Sequence, residues 1–420
     1  MIAWLRGLVV RHRPKLGALD ILKYIGPGFL VTVGFIDPGN WATALAAGAD
    51  HGYRLLWVVT AGTALLMLLQ HNAAHLGIVT GLCLSETVTR YLSRRWAPIL
   101  LATGVLAAAA TAMAELVGAA IGLNMLTGLP FRLGAALTAA GVAVLLYTNS
   151  YRRVERWIIG CVGLVGLAFI YELALVRVDW GAAARGAFLP TAPMGSGALI
   201  LAVLGAVVMP HNLYLHSEII QSRQYNHEDE ASVSRRLRYE FLDTLSAMGL
   251  GWAINCAMII LAATVFFGHG VPVTELPQAQ ATLVPLLGRA AGRVFALALL
   301  FSGLASTLTA AMAGGSIFAG IFGEPYQIED RHSRVGVVLT LAAGLAAVML
   351  LRDPFHGLIW SQVALSLQLP FTVLPLVALT SSRQVMGRYL NAGLEKVLLW
   401  AAAAAVILFN FLLFRDALGW

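Results

Sequence analysis

Long apolar runs alternate with short polar stretches along the whole chain, and each run has the length a bilayer requires. A hydrocarbon core of roughly 30 Å takes about 20 helical residues to cross. Runs of that kind fall near 24–48, 54–79, 97–127, 131–148, 156–177, 197–222, 240–268, 290–322, 333–351, 356–381 and 394–414. The pattern predicts eleven transmembrane helices in an all-α, multi-pass membrane protein, with 1–420 forming one transmembrane domain. The longest polar stretch, Ser222 to Tyr239, carries both charge signs and reads as a loop with an amphipathic helix.

Two runs are broken in the same way. Asp37-Pro38-Gly39-Asn40 interrupts the first, and Met209-Pro210-His211-Asn212 interrupts the sixth. Proline removes a helix donor, and a carboxylate in hydrocarbon is costly, so two tetrapeptides of the form x-Pro-x-Asn point to a cation site. The breaks are 172 residues apart, with five runs counted from each. An odd number of spans per half makes the halves face opposite ways. That predicts inverted repeats near 20–180 and 195–385, with unwound first and sixth helices meeting near the midplane and an extra helix near 394–414.

Composition removes the soluble alternative. With 59% hydrophobic and 12% charged residues and a mean hydropathy of +0.78, the chain lacks the charge of a soluble globule. Placing the N-terminus in the cytoplasm puts 20 of the 28 Lys and Arg on the inside, as the positive-inside rule demands. An odd number of spans then puts the C-terminus outside, and the net charge of +7 reflects topology and anionic lipid. The basic start resembles a signal-peptide n-region, but the run that follows has no small-residue cleavage pattern and carries Asp37, so it is read as a span. Cys83, Cys161 and Cys256 are isolated and read as packing residues. With no Walker-type loop, no nucleophile-base set and no basic-aromatic module, the reading is a transporter: no enzyme, no ATP, no nucleic acid and no resident cofactor.

The runs Gly26-Pro27-Gly28 through Asp37-Pro38-Gly39-Asn40, then Leu55-Leu56-Trp57, and Val208 through Ser217 closely resemble the NRAMP metal-ion transporters. The resemblance covers essentially the whole chain, including Leu126-Thr127-Gly128-Leu129-Pro130, Ala247-Met248-Gly249-Leu250 and Trp360-Ser361-Gln362-Val363. It implies a LeuT-like fold that carries Mn²⁺ or Fe²⁺, with protons, by alternating access. It also places a ligand at Asn40 and a residue that completes coordination at Gln362. The chemistry agrees. Asp37 offers a hard anionic oxygen, Asn40 an amide oxygen and Met209 a soft thioether, and Gly34 and Ala206 are expected to release carbonyls one turn before the breaks. A thioether contributes little to Mg²⁺ or Ca²⁺ but suits Mn²⁺, Fe²⁺, Co²⁺ and Cd²⁺.

Proton handling departs from the family pattern. Glu115 matches its acidic residue in the third run, yet Ala112 stands where many relatives carry an Asp. His211, His216 and His75 are the other candidates for a proton pathway, since imidazole titrates near neutral pH. His71 lies near the same route. Among other acids, Glu172 and Glu218 sit near run ends, with Glu218 expected to meet a basic residue. Asp243 reads as a helix cap or a partner for Arg238, and Glu86 with Arg90, and Arg334, read as interfacial charges or gate pairs. The expected protein is a monomeric transporter of the cell inner membrane importing Mn²⁺ first and Fe²⁺ second, with proton coupling weakened or rerouted. A Mg²⁺-transporting relative, an organic-solute transporter and a membrane sensor are the alternatives.

Overall fold

The computed structural model describes residues 37–148, 176–222, 230–270 and 289–417, with a few isolated positions between them. The first half of the first run, nearly all of the fifth run, Gly26 to Gly28, Gly34, Cys161 and Glu172 lie outside the described residues. The helices are α1 (Pro38–His51), α2 (Leu56–Thr80), α3 (Leu84–Tyr91), α4 (Trp96–Thr127), α5 (Phe131–Thr148), α6 (Trp180–Phe188) and α7 (Gly197–Val208). They continue as α8 (Pro210–Gln221), α9 (Glu230–Val265), α10 (Arg289–Ile321), α11 (Arg331–Leu350), α12 (Pro354–Thr380), α13 (Arg383–Met386) and α14 (Gly393–Ala417). Nine stretches among the described residues are long and apolar enough to cross a membrane. The first, Pro38–Thr80, joins α1 and α2 through a 3₁₀ turn at Gly52–Leu55.

The burial pattern is that of a protein dissolved in lipid. Leu106, Leu137, Val338 and Phe411 point outward and are exposed. The buried interior holds Asp37, Asn40, Glu115, His211, His216 and Glu218. Apolar side chains toward hydrocarbon and polar ones toward each other is the arrangement a bilayer selects. The bundle centres on α4, which packs most extensively against α10 and also along α11 and α12, while α7 lies along α12 and α1 along α9. Trp41 of α1 stacks edge-on against Phe295 of α10 at 4.9 Å.

The short helix α3 is tied to the end of α8. The Leu84 amide donates to Ser217 Oγ at 2.9 Å, and Glu86 closes a capping box by accepting the Cys83 amide at 2.9 Å. Beside it, Glu218 accepts from Ser316 Oγ at 2.7 Å and from the Tyr326 amide at 3.2 Å. The basic partner expected for Glu218 is replaced by these two neutral donors, because its side chain turns into the α8–α10 contact. Asp243 lies inside α9, which starts at Glu230, so it caps no helix. Arg334 donates through Nε to the Ile328 carbonyl at 3.0 Å, and Arg90 lies over the Tyr91 ring.

Burial first, and the neighbouring Glu218 carboxylate second, push the Glu86 carboxyl up from 4.5 to about 8. The folded state therefore holds this proton more tightly than the unfolded chain does. The stabilisation is complete below the unfolded value and is lost as pH rises through the folded one. Glu86→Gln keeps the acceptor for the Cys83 amide and removes the charge. Thermal unfolding in detergent is expected to show the variant gaining stability over the parent as pH rises from 4.5 to about 8. A difference independent of pH would contradict the shifted carboxyl.

Candidate metal-transport site

The site is built where the two helix breaks meet. Asp37 has extended backbone (φ −70°, ψ 156°), Pro38 occupies the first helical position with its φ already suited to it, and Asp37 Oδ1 accepts the Asn40 amide at 2.6 Å. Asp37, not Asn40, is thus the cap of α1, and Asn40 stands one turn inside. From there Asn40 Nδ2 donates to the Ala206 carbonyl at 3.0 Å, a residue 166 positions away in the last turn of α7. One hydrogen bond therefore joins the first break to the second.

At the second break the chain passes from α7 to α8 through Met209, at φ 44° and ψ 83°. It is the one non-glycine residue with positive φ among the described residues. A left-handed conformation costs an L-residue roughly 1–2 kcal/mol, and strain of this kind concentrates at functional sites. Met209 is buried, and its sulfur accepts from Asn212 Nδ2 at 3.1 Å. Pro210 then opens α8 without demanding a donor.

Close approach of other helices finishes the pocket. A Cβ on Gly39 would collide with the Gln362 side chain of α12, and one on Gly118 of α4 would collide with the Pro38 ring. Gln362 donates through Nε2 to Ser361 Oγ at 3.1 Å, and its Oε1 is buried without a hydrogen-bond partner among the described residues. Glu115 of α4 lies beside Asp37 and Ser306, and both its oxygens are likewise buried without a hydrogen-bond partner there. Buried acceptors left unsatisfied are costly. Two such groups pressed against one helix break fit a site that receives something positively charged.

The structure thus brings together Asp37, Asn40, Ala206 and Gln362, with Met209 at the second break and Glu115 beside Asp37; Gly34 lies outside the described residues. His211 follows Met209 closely and meets α4 through Thr111 Oγ1, at 3.1 Å from its Nδ1. Thr111 spends its hydrogen on the Ala107 carbonyl, which assigns the imidazole hydrogen to Nδ1. His216 lies farther along α8 and faces Gln70 and Glu240 instead. His75, on α2, is buried and stacks against His71 with 6.4 Å between ring centroids. Sequence reasoning missed Thr111 and Glu240, whose only signal was a polar side chain inside or beside an apolar run, and gave Asn212 no role beyond the x-Pro-x-Asn break.

The comparisons with known proteins decide the family. The model described as natural resistance-associated macrophage protein-like matches residues 28–416. The chain belongs to the Nramp family. Relatives of this Nramp protein include the divalent metal cation transporter MntH of Brucella suis, 39% identical over 94% of this chain and 88% of that protein. MntH of Caldanaerobacter subterraneus is 36% identical over 93% of this chain and 92% of that protein. Among solved structures, a mutant of the Eremococcus coleocola manganese transporter aligns with a TM-score of 0.77 at 30% identity, covering 93% of this chain and 86% of that one. MhsT, solved with L-phenylalanine, aligns at 0.64 with 16% identity over 93% and 98%, a likeness of fold alone. The fold is the LeuT-like arrangement with broken helices that the sequence predicts.

The missing acid at Ala112 has a steric counterpart. A Cβ on Gly344 of α11 would meet the Met113 amide nitrogen at 2.9 Å and Ala112 Cβ at 3.0 Å, so the two helices cross backbone to backbone. Between Val335 and Leu350, α11 carries no charged residue. Ala112→Asp would put a carboxylate into a contact without room or partner. It is expected to destabilise by at least about 3 kcal/mol with no gain in proton flux, as read by thermal unfolding and by vesicle pH. Near-parental stability would mean that the crossing opens.

Proposed function

We propose that this Nramp protein imports divalent transition-metal ions, Mn²⁺ first and Fe²⁺ second with Co²⁺ and Cd²⁺ accepted, by alternating access across the cell inner membrane. In this reading Asp37, Asn40 and Met209 supply side-chain ligands, Ala206 and Gly34 supply carbonyls, and Gln362 completes the shell. The relatives' names support a divalent metal as cargo, and the manganese transporter structure supports Mn²⁺. The observation that carries the reading is the strained Met209 at the break of the sixth helix, with the Asp37 carboxylate at the break of the first. A thioether in this position favours transition metals over the far more abundant Mg²⁺ and Ca²⁺.

The two hydrogen bonds at the breaks suggest how cargo enters. Asn40 and Ala206 each carry an oxygen suited to a cation, and their mutual bond joins the broken helices. A divalent ion takes both oxygens and the sulfur, replacing the Asn40–Ala206 and Asn212–Met209 bonds with stronger charge-dipole contacts. One carboxylate facing a 2+ ion makes an exchangeable site, as transport requires.

Protons are the proposed coupling ion, carried through Glu115, His211, His216 and His75, with the membrane potential as a further drive and no ATP. The protein works as a monomer built from inverted repeats near 20–180 and 195–385 and an extra helix near 394–414, with the N-terminus cytoplasmic and the C-terminus extracytoplasmic. The cation bias of the polar stretches supports that orientation.

Vesicle uptake of Mn²⁺ against excess Mg²⁺ or Ca²⁺ tests the cargo. Met209→Ala is expected to keep Mn²⁺ transport but lose most of its resistance to the alkaline earths. Asp37→Asn is expected to lower Mn²⁺ uptake at least about 100-fold, since it removes the only charged ligand at a buried cation. Equal competition by Mg²⁺ in parent and Met209→Ala would instead favour the magnesium-transporting alternative.

A further inference from the structure

The last helix, α14, lies outside the repeats that the sequence predicts and turns most of its surface to lipid. Leu408, Phe411 and Leu412 are exposed, and the buried positions Leu399, Ala403, Val406 and Asn410 recur at helical spacing as one narrow stripe. Three of the four are apolar. The fourth is an amide, which is costly in hydrocarbon unless it is paired.

Asn410 is paired at both ends. Its Nδ2 donates to the Val406 carbonyl one turn back at 2.9 Å, and its Oδ1 accepts from Ser366 Oγ of α12 at 3.3 Å. Among the described residues no other side-chain hydrogen bond joins α14 to a second helix. Close packing does not replace it, because an apolar groove of about 360 Å³, lined by Trp57, Leu204, Ala402 and Phe409, separates parts of α14 from α2 and α7. One polar contact therefore fixes how α14 meets α12.

That contact sits at the crossing of α7 and α12. A Cβ on Gly205 of α7 would collide with the Gln362 carbonyl oxygen and meet the Ser366 amide nitrogen at 2.8 Å, so the helices touch backbone to backbone between these two residues. The next residue of α7 is Ala206, whose carbonyl accepts from Asn40. Four residues past Ser366 stands Pro370, which has no N–H to give the Ser366 carbonyl. Here α12 is least held by its own hydrogen bonds, and helices bend at such points. Beyond the proline it is tied to α4, where Gln368 Nε2 donates to Thr103 Oγ1 at 3.1 Å. Before the proline, the side-chain tie is Ser366 to Asn410.

Resting on the reading that Gln362 completes the metal shell, we infer that Asn410 is a positioning residue for transport. Through Ser366 it fixes where α12 crosses α7, and so where the unpartnered Gln362 Oε1 stands relative to the Ala206 carbonyl. Without this tie α12 tips about Pro370 and carries Gln362 out of register, while Asp37, Asn40 and Met209 keep their places. The shell then binds cargo with one oxygen fewer. Apparent affinity falls, whereas discrimination against Mg²⁺, which rests on the Met209 sulfur, is retained.

The test is the concentration dependence of Mn²⁺ uptake by the full-length protein in vesicles. Asn410→Leu, close in size and apolar, and Ser366→Ala are each expected to raise KM about fivefold, with the maximal rate within about twofold of the parent and resistance to Mg²⁺ unchanged. The double variant is expected to be no worse than either single one, and Ser366→Thr, which keeps the hydroxyl, is expected to hold the parental KM. Gln362→Ala is expected to raise KM by itself and to abolish any further effect of Asn410→Leu. A parental KM in Gln362→Ala overturns the assignment of Gln362 to the shell, and the positioning role with it. A raised KM in Gln362→Ala beside a parental KM in Asn410→Leu overturns the positioning role alone, as does an Asn410→Leu effect that persists in full without Gln362. Loss of monodisperse protein in both Asn410→Leu and Ser366→Ala makes the bond a folding element and also overturns it.

Discussion

Everything at the centre of this transporter depends on satisfying backbone groups where two membrane helices stop. In hydrocarbon an unpaired amide or carbonyl costs several kcal/mol, so a broken helix is tolerable only where other groups take over. Asp37 accepts the Asn40 amide, Asn40 donates to the Ala206 carbonyl, and the Met209 carbonyl accepts the Asn212 amide at 2.9 Å. Each break is thus stabilised by a side chain of its own tetrapeptide or of the other one. The two must lie side by side, and that fixes α1, α7 and α8 relative to one another. Glycines at 39 and 118 then let α12 and α4 close over the junction.

The remaining buried polar groups divide into those satisfied within their own helix and those left without a partner among the described residues. Thr111, Thr138, Thr307 and Thr340 each return a hydroxyl to a carbonyl one turn back, a local solution that needs no ligand. Glu115, the Gln362 carbonyl and the Gln70 carbonyl find no such solution among the described residues. The first two adjoin the helix breaks, and the third adjoins a histidine on the broken helix. Thr63, Gln221, Asn255 and Ser381 also carry a buried side-chain atom without a hydrogen-bond partner among the described residues, so it is the position of Glu115 and Gln362 beside the helix breaks that marks them.

Much of this was legible in the sequence, because length and polarity carry most of the information about membrane helices. The spans among the described residues followed from apolar runs, and the candidate site was proposed from a carboxylate, two prolines and a thioether where hydrocarbon was expected. What escaped were relations that depend on helix rotation and distance in space. Asp37 caps α1 because Pro38 fixes where the helix begins, a backbone role that its carboxylate alone does not announce. Glu218 reads as half of an ion pair, but its rotation carries it to Ser316. The pairing of His71 with Glu240 spans 169 residues. Glu240 looks like the first residue of an apolar run, until α9 is seen to begin at Glu230 and carry it inward.

The two histidines of α8 show why one short helix can serve two duties. They are five residues apart, which at roughly 100° per residue turns them about 140° from each other. His211 therefore faces α4, where Thr111 holds it within a turn of Glu115, while His216 faces α2 and α9. Neither can reach the other's partners without a rotation of the whole segment. Because α8 begins at the strained Met209, a change of backbone at the metal site is transmitted to both histidines as one rigid movement. In the proposed reading, metal occupancy and proton position would be linked through the orientation of this single helix, with no need for the ion and the proton to share a ligand.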